Sequence, residues 1–270
     1  MIHTGSKSQL KAVAVIPARY SSTRLCGKPL LDIAGKPLVV WVAERARAAS
    51  SISRTIVATD DPRIVDAVSA AGFDAVITRA DHLSGTDRIA EVAHNLSADI
   101  IVNVQGDEPL IDPETINRAV NALIEDPNAQ MSTTWEAITD PGDLSNPSVV
   151  KVTFDENGYA TGFSRNPNRL NNSDSKNDST GSSPDASGLL SSFRKHTGLY
   201  AYRRDFLLKF ARWPASESET EESLEQLRAL DRGVKIKVVE AASTSIGVDT
   251  PEDLERVRAM MAASVRVAEV

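Results

Sequence analysis

Short apolar runs alternate with amphipathic stretches along the first half of the chain, and this alternation limits the possible folds most strongly. Residues 12–16, 55–59 and 100–104 are apolar enough to form strands buried on both faces, and stretches with helical periodicity lie between them. Buried strands joined by helices form a mainly parallel sheet. We therefore predict a doubly wound α/β fold.

Three helix starts are marked by capping residues. Asp61-Pro62 and Asp112-Pro113 each supply an N-cap and a first-turn proline, and Ser84 with Asp87 has the spacing of a capping box. A final helix is predicted to begin at Thr250-Pro251 with acidic residues in its first turn. We expect each helix to follow a loop at one edge of the sheet.

The second half has more strands and fewer helices, which indicates a smaller mixed β extension. The sequence predicts one helix over 222–230 and a hairpin turn at 155–158, with strands over 131–137, 149–154, 159–164, 197–203 and 234–239. Residues 166–192 are rich in Asn, Ser, Asp and Gly, so we expect a mobile loop there.

These changes divide the chain into a first part (1–130), a second part (131–245) and a C-terminal helix that returns to the first part (246–270). The three parts are expected to form one structural domain over 12–265.

Charge and cysteine content exclude several classes of protein. The net charge of −7 argues against general binding to nucleic acid or to anionic membranes. A single cysteine, Cys26, excludes an internal disulfide framework and a cysteine-based zinc cluster. Since no stretch approaches the roughly 18 apolar residues of a membrane span, we expect a cytoplasmic protein.

A basic loop follows the first predicted strand. Residues 17–30 carry three cations, Arg19, Arg24 and Lys28, among small residues. Open α/β sheets bind ligands at the carboxyl ends of their strands, where backbone N–H groups and cations can surround a phosphate chain. The loop matches neither a Walker motif nor a Rossmann fingerprint. It is either a phosphate-binding loop or an ordinary solvated one.

Two aspartates follow predicted strands. Asp107 lies in Gln-Gly-Asp-Glu-Pro after the strand at 100–104, and Asp249 lies in Gly-Val-Asp-Thr-Pro. A lone Asp at such a place more often caps a helix or turn. Two carboxylates together with a cationic loop, however, suit Mg²⁺ bound to a polyphosphate.

With these motifs in place, the sequence resembles the bacterial 3-deoxy-manno-octulosonate (KDO) cytidylyltransferases from Val13 to about Arg258. The matching segments occur in the family's order: 16–25, 27–30, 78–82, 84–88, 103–109, 163–165, 196–200, 224–228 and 247–254. The resemblance implies a nucleotide-diphospho-sugar transferase fold, which is Rossmann-like. It also implies the reaction CTP + KDO → CMP-KDO + pyrophosphate with Mg²⁺ as cofactor, within lipopolysaccharide biosynthesis. By the same resemblance, residues 1–130 would form the nucleotide-binding part and residues 131–245 the sugar-binding and dimerisation part of a homodimer.

The resemblance further implies a role for each matching residue. The phosphates would be held by Arg19 and Lys28, with Ala18 at the base. The cytosine would be covered by Arg79, Ser84 and Gly85. Gln105 would contact both nucleotide and sugar, and the metal ligands would be Asp107 and Asp249. The sugar pocket would be formed by Arg165, His196, Glu225 and Gln226.

Two positions depart from the family pattern. Cys26 stands where the family usually has proline, and we interpret it as a tolerated substitution. After Arg165 the family usually shows Ile-Pro and an Arg-Asp pair, but this chain has residues 166–170 reading Asn-Pro-Asn-Arg-Leu. The CTP chemistry is unaffected, whereas the sugar acid stays open between KDO, 8-amino-KDO and a nonulosonate. A non-catalytic nucleotide-sugar-binding protein is the alternative from another class.

Without the resemblance, His196 at the start of a predicted strand would more often be a structural residue than one that binds a ligand. Likewise, Glu225-Gln226 on a helix would be an ordinary solvated face.

Overall fold

A computed structural model describes residues 10–21, 24–170 and 193–268. Its strands are β1 (Ala12–Ala18), β2 (Asp32–Ile33), β3 (Lys36–Pro37), β4 (Ile52–Thr59), β5 (Asp74–Ile77), β6 (Ile100–Asn103), β7 (Met131–Ala137), β8 (Lys151–Phe154), β9 (Ala160–Ser164), β10 (Arg194–Arg203) and β11 (Ile236–Glu240). Its α-helices are α1 (Leu38–Ala48), α2 (Pro62–Ala70), α3 (Gly85–His94), α4 (Pro113–Glu125), α5 (Gly142–Ser145), α6 (Arg204–Phe210), α7 (Glu217–Glu222), α8 (Gln226–Leu230) and α9 (Pro251–Ala268). Short 3₁₀ helices occupy Lys28–Leu30 and Pro167–Arg169.

The main sheet has the strand order β11-β7-β10-β6-β1-β4-β5. Only β10 runs antiparallel to both of its neighbours in this order, and the other pairings are parallel. The β8–β9 hairpin pairs with the start of β10, which gives the smaller antiparallel extension. The prediction of a mostly parallel α/β sheet with a mixed extension is confirmed.

Helices cover both faces of this sheet. On one face, α1, α2, α4 and α9 enclose a core with buried residues of β1 and β6. On the other face, α3, α6 and α8 pack on a second core that includes Tyr202 and Phe163. Strands buried from both sides explain the uninterrupted apolar runs of the sequence.

The predicted helix caps are present. The Asp61 and Asp112 carboxylates accept hydrogen bonds from the backbone N–H groups of Arg63 (2.9 Å) and Glu114 (2.8 Å). Ser84 Oγ accepts from the backbone N–H of Asp87 at 3.1 Å. These side chains satisfy N–H groups that a helix start leaves unpaired.

The single helix predicted over 222–230 is wrong. α7 ends at Glu222, Ser223 adopts a left-handed conformation with φ of 54°, and α8 begins at Gln226. A non-glycine residue in this conformation is held by its surroundings, since it is strained on its own. The break turns the chain between two side chains with separate tertiary partners, Glu222 and Glu225.

The hairpin turn predicted at 155–158 is present, and its last residue, Gly158, has φ of 73°. Of the segment predicted to be mobile, residues 171–192 lie outside the described residues. None of the helices within the described ranges is both long and apolar enough to cross a membrane.

Candidate active site

A cleft of about 290 Å³ opens at the carboxyl ends of β1 and β6. Its walls are the basic loop after β1, the start of α3, the loop after β6 and the loop before α9. The lining residues are Pro17, Ala18, Arg19, Arg24, Lys28, Pro29, His82, Leu83, Ser84, Gly85, Arg88, Gln105, Gly106, Asp107 and Asp249. Eight of the predicted site residues, from all of these walls, therefore line one cleft.

Two backbone contacts bring the loops of this cleft together. A Cβ atom on Gly106 would lie 2.5 Å from the carbonyl oxygen of Pro17, so only glycine allows the loop after β6 to pack against the end of β1. The backbone N–H of Val248 donates to the carbonyl of Asp107 at 2.8 Å. That bond places the loop of Asp249 beside the loop of Asp107.

The two aspartates converge on one cationic group. Lys28 Nζ lies 2.7 Å from Asp107 Oδ2 and 3.2 Å from Asp249 Oδ1. Arg24 Nη2 lies 3.1 Å from the same oxygen of Asp249. Both carboxylates therefore face the cleft.

Neither aspartate caps a helix here. The final helix is capped by Thr250, whose hydroxyl accepts from the backbone N–H of Asp253 (3.2 Å) while the Asp253 carboxylate accepts from the backbone N–H of Thr250 (3.0 Å). This reciprocal cap leaves the side chain of Asp249 available. The alternative that Asp249 serves as a cap is therefore excluded.

The donor set fits a magnesium ion bound together with a phosphate. Asp107 and Asp249 already share one cation, the ammonium group of Lys28, so their oxygens meet at one position. Within the described ranges there is no group of three or more His, Cys, Asp or Glu side chains arranged for a metal. Mg²⁺ is commonly held by only one or two carboxylates, and substrate phosphates and water complete its shell.

Glu108 follows Asp107 directly in the chain. Burial and the neighbouring carboxylate of Asp107 raise the pKa of Glu108 to about 7. Carboxylates placed this close together favour a bound cation, which would offset their repulsion.

The cleft also carries positive charge. Arg19 is exposed, lines the cleft and forms no ion pair with a described residue. Lys28 stands at the start of a 3₁₀ helix, after Gly27 with φ of 67°. The start of α3, with Ser84 and Gly85, adds the partial positive charge of a helix N-terminus. These groups together would attract the negative charge of a polyphosphate.

Arg79 is the one predicted nucleotide residue whose side chain does not line this cleft. It pairs with Asp81 at 2.9 Å, is 68% exposed and lines a neighbouring surface groove. Its backbone N–H donates to Glu91 at 3.2 Å, and Glu91 also makes a very short contact with His82. The segment before α3 is thus fastened to the helix, while the cytosine role of Arg79 stays a prediction.

Two hydrogen bonds join the cleft to the second half of the chain. Gln105 Nε2 donates to the carbonyl of Gly198 at 2.9 Å, at a point where β10 shifts register against β7. Thr86, which follows Gly85, donates to the carboxylate of Glu225 at 2.5 Å. Bulges of this kind often redirect strand groups beside active sites.

His196 packs between the rings of Phe163 and Tyr200. Although part of the residue remains accessible, desolvation lowers the pKa of His196 to about 3, so the imidazole is neutral at physiological pH. Its Nε2 lies 2.9 Å from Thr133 Oγ1, and that hydroxyl donates to the carbonyl of Leu199 at 2.8 Å. Nε2 therefore carries the proton, and Nδ1 is left as a hydrogen-bond acceptor.

Gln226 is 4% exposed, and its buried Nε2 has no partner among the described residues. An unpaired buried amide is costly, and a polar ligand group or a water would satisfy it. Gln226 is buried and Glu225 is partly buried, and both lie between Leu224 and Leu227, which belong to the second core. They are therefore not part of a solvated helix face.

Arg165 follows β9 and is held by backbone carbonyls. Its Nε donates to the carbonyl of Glu222 and its Nη1 to that of Pro147, both at 3.0 Å. Nη2 has no hydrogen-bond partner within the described part of the chain. The structure does not place Arg165 in the wall of the 290 Å³ cleft.

Comparison with known proteins decides the family. A family profile described as "Cytidylyltransferase" matches residues 13–236. The chain is 50% identical to a 3-deoxy-manno-octulosonate cytidylyltransferase of Trichlorobacter lovleyi, over 93% of this chain and 99% of that protein. The chain belongs to the 3-deoxy-manno-octulosonate cytidylyltransferase family.

Solved structures agree with this family. The structure of a CMP:2-keto-3-deoxy-manno-octonic acid synthetase complexed with CTP matches with a TM-score of 0.85 and 45% identity, over 94% of this chain and 99% of that one. A 4-diphosphocytidyl-2C-methyl-D-erythritol synthase from Anaerococcus prevotii has a TM-score of 0.58 at 14% identity, over 93% of this chain and 96% of that one. The second likeness shows the shared fold alone.

Sequence reasoning did not single out two lining residues of this family member. Arg88 is 3% exposed and pairs with Asp60 at 3.0 Å, which fixes the start of α3 to the end of β4. His82 lines the cleft beside Ser84. Ser84 and Arg88 are four residues apart at the start of a helix, and this spacing could have predicted that both lie on the same side of the helix.

Proposed function

We propose that this chain transfers CMP from CTP to the anomeric hydroxyl of KDO and releases pyrophosphate. The observation that carries the proposal is the convergence of Asp107 and Asp249 on the ammonium group of Lys28, in a cleft at the carboxyl ends of the strands. A related synthetase, 45% identical, has a structure with CTP. A protein that only binds a nucleotide sugar does not require two carboxylates at the phosphates.

The chain's own cations would act on the triphosphate. Arg19 and Lys28 would neutralise the phosphates and stabilise the charge that develops on the leaving pyrophosphate. Arg24, which already reaches Asp249, adds a third positive group at the mouth of the cleft. Binding between these groups would hold the α-phosphorus in place for the incoming hydroxyl.

Asp107 and Asp249 would hold Mg²⁺, which when bound would offset phosphate charge and lower the pKa of the attacking hydroxyl. Lys28 lies within hydrogen-bond distance of both carboxylates, so it would help to fix their orientation. No protein nucleophile is required. The exposed thiol of Cys26 has no assigned role in the reaction.

The sugar acid would be recognised by hydrogen bonds to its hydroxyl groups and by one cation at its carboxylate. His196, held neutral, would accept a hydrogen bond at Nδ1, and Glu225 and Gln226 would bind sugar hydroxyls. Arg165, through its Nη2 edge, would pair with the carboxylate. Gln105 would lie between the two substrates, since it lines the nucleotide cleft and is bonded to Gly198.

We further propose a homodimer located in the cytoplasm, with a product used in lipopolysaccharide synthesis. We also propose that residues 1–130 bind the nucleotide, that residues 131–245 bind the sugar and form the dimer contact, and that the helix in 246–270 returns to the first part. One sheet runs through all the main strands from β11 to β5.

A pyrophosphate-release assay tests the activity. The protein is incubated with CTP and Mg²⁺ and with KDO, 8-amino-KDO or a nonulosonate in turn, and a reaction without sugar acid is the control. We expect release with KDO and formation of the CMP-sugar. Turnover with another acid but not with KDO would show that the other acid is the substrate. Residues 166–170, which differ from the family pattern, would then be the first place to look for the cause. Binding of CTP without turnover on any acid would contradict the enzyme assignment.

A further inference from the structure

Lys151 in β8 is fully buried, and the nearest opposite charge that acts on its amine, Asp143, makes no ion pair with it. Lys151 forms no ion pair with any other described residue, and burial lowers the pKa of its amine. Its Nζ instead donates to three backbone carbonyls, those of Asn146 (2.8 Å), Val149 (2.9 Å) and Arg165 (3.0 Å). A lysine is rarely buried in this manner, because the charged group loses its hydration.

These three bonds join two pieces of chain around Arg165. One piece is the loop before β8, in which Pro147 supplies a carbonyl to Arg165 Nη1 at 3.0 Å. The other is the end of β9, where Lys151 reaches the carbonyl of Arg165 itself. Lys151 therefore fixes both the backbone of Arg165 and the loop that holds one side of its guanidinium group.

Glu222 holds the other side. Its carboxylate accepts from the backbone N–H of Arg165 (3.0 Å) and from Ser164 Oγ (2.9 Å), and its carbonyl accepts from Arg165 Nε (3.0 Å). With Nε and Nη1 both fixed, the plane of the guanidinium group is set. Nη2 is left without a described partner and is available to an incoming acid.

We propose that Lys151 is a positioning residue that fixes the guanidinium group of Arg165 for the carboxylate of the sugar acid. This inference rests on the proposed function, in which Arg165 binds that carboxylate. A guanidinium group that is already oriented loses less conformational freedom on binding. Its contact with a carboxylate is therefore stronger than that of a freely rotating arginine.

The test compares Michaelis constants in wild type, Lys151→Met, Arg165→Ala and the double variant. We expect Lys151→Met to raise KM for KDO about tenfold and KM for CTP less than twofold. The double variant should lie within twofold of Arg165→Ala, because Lys151 acts through the missing side chain. The proposal would be overturned if the double variant raised KM for KDO by the product of the two single effects. It would also be overturned if Lys151→Met raised KM for KDO and KM for CTP equally.

Arg203→Met is a matched control for general loss of stability. Arg203 also donates to three backbone carbonyls, those of Leu123, Asp126 and Ala129, at the other end of β10. The Arg203→Met substitution should lower the melting temperature and leave KM for KDO and KM for CTP unchanged. Lys151→Gln, which keeps an amide donor, should give a smaller rise in KM for KDO and replaces Lys151→Met if that variant does not fold.

Amide hydrogen exchange over residues 163–166 provides a readout that needs no activity. Exchange should be at least about tenfold faster in the Lys151 variant than in wild type and unchanged in Arg203→Met. Unchanged exchange in the Lys151 variant overturns the inference even for an inactive protein. A wild type without turnover on KDO would instead contradict the proposed function alone. Faster exchange with an unchanged KM for KDO would also overturn the inference.

Discussion

The wall of the nucleotide cleft and the residues proposed for the sugar are built in opposite ways. The cleft is lined by charged side chains that pair with one another, as Lys28 does with Asp107 and Asp249. Among the second-half residues, His196 is kept uncharged, Arg165 is bound to backbone carbonyls and Glu225 accepts from the hydroxyl of Thr86, so none of them relies on an ion pair.

The difference matches what each substrate offers. A triphosphate carries several negative charges, so mobile cations and a metal ion can neutralise it in many geometries. A sugar acid offers hydroxyl groups and a single carboxylate, and these are distinguished only by donors and acceptors at fixed positions. We therefore expect substitutions in the first region to reduce turnover and those in the second to change the sugar KM.

The largest effect is expected from Asp107→Asn and Asp249→Asn. Each keeps the side-chain shape and removes one anionic metal ligand, so kcat for pyrophosphate release should fall more than about 100-fold. Even groups that only support metal ligands typically contribute 10- to 100-fold. Asp205→Asn, at an exposed position of α6, is the matched control and should keep full activity. Activity within threefold of wild type in either cleft variant would remove that residue from the metal site.

Nucleotide choice tests whether the cleft recognises shape as well as charge. CTP should be preferred over ATP and GTP about 100-fold in kcat/KM, because a cleft of about 290 Å³ bounded by the start of α3 leaves little space for a purine. Competition assays with KDO held at saturation measure this ratio. Comparable turnover with a purine triphosphate would show that charge alone selects the nucleotide.

Arg165→Ala should have its effect on the sugar. Loss of a charged hydrogen bond of about 1.5–3 kcal/mol corresponds to a rise in KM for KDO on the order of 10- to 100-fold. KM for CTP should stay within twofold of wild type. Arg54→Ala, which removes an exposed pair with Asp74, is the control. A defect that falls on CTP instead would place Arg165 with the phosphates and remove the contrast between the two regions.

The smallest effect on activity is expected from the neutral state of His196, which acts on stability instead. Because its folded pKa of about 3 lies below the ordinary histidine pKa of 6.5, the unfolded chain binds the proton more readily. Stability from this group is therefore present above pH 6.5 and is lost as pH falls towards 3, by at most about 1.4 kcal/mol per pH unit.

His196→Gln keeps a polar group and removes the titration. The melting temperature of wild type should fall more steeply than that of His196→Gln between pH 6.5 and 4. His94→Gln, at the exposed end of α3, should follow wild type. Parallel curves for wild type and His196→Gln would show that the imidazole is not held neutral.

Local signals predicted most of the fold. Buried strands and capped helices follow from apolar runs and from residues such as Asp61 and Ser84, whose effects reach only a few positions along the chain. The helix over 222–230 was predicted wrongly because its periodicity continues through Ser223, where no glycine marks a break. Tertiary contacts of Glu222 with Arg165 and of Glu225 with Thr86 decide that turn.

Residue identity alone shows which side chains could form a phosphate and metal site, because the charge of Asp107, Asp249 and Lys28 is a property of each residue. That these residues meet depends on the folded chain, in which the backbone bond from Val248 to Asp107 brings their loops together. The neutral state of His196 and the burial of Lys151 depend on the folded chain as well. Desolvation and partner geometry depend on residues far away in the chain, and no local pattern encodes them.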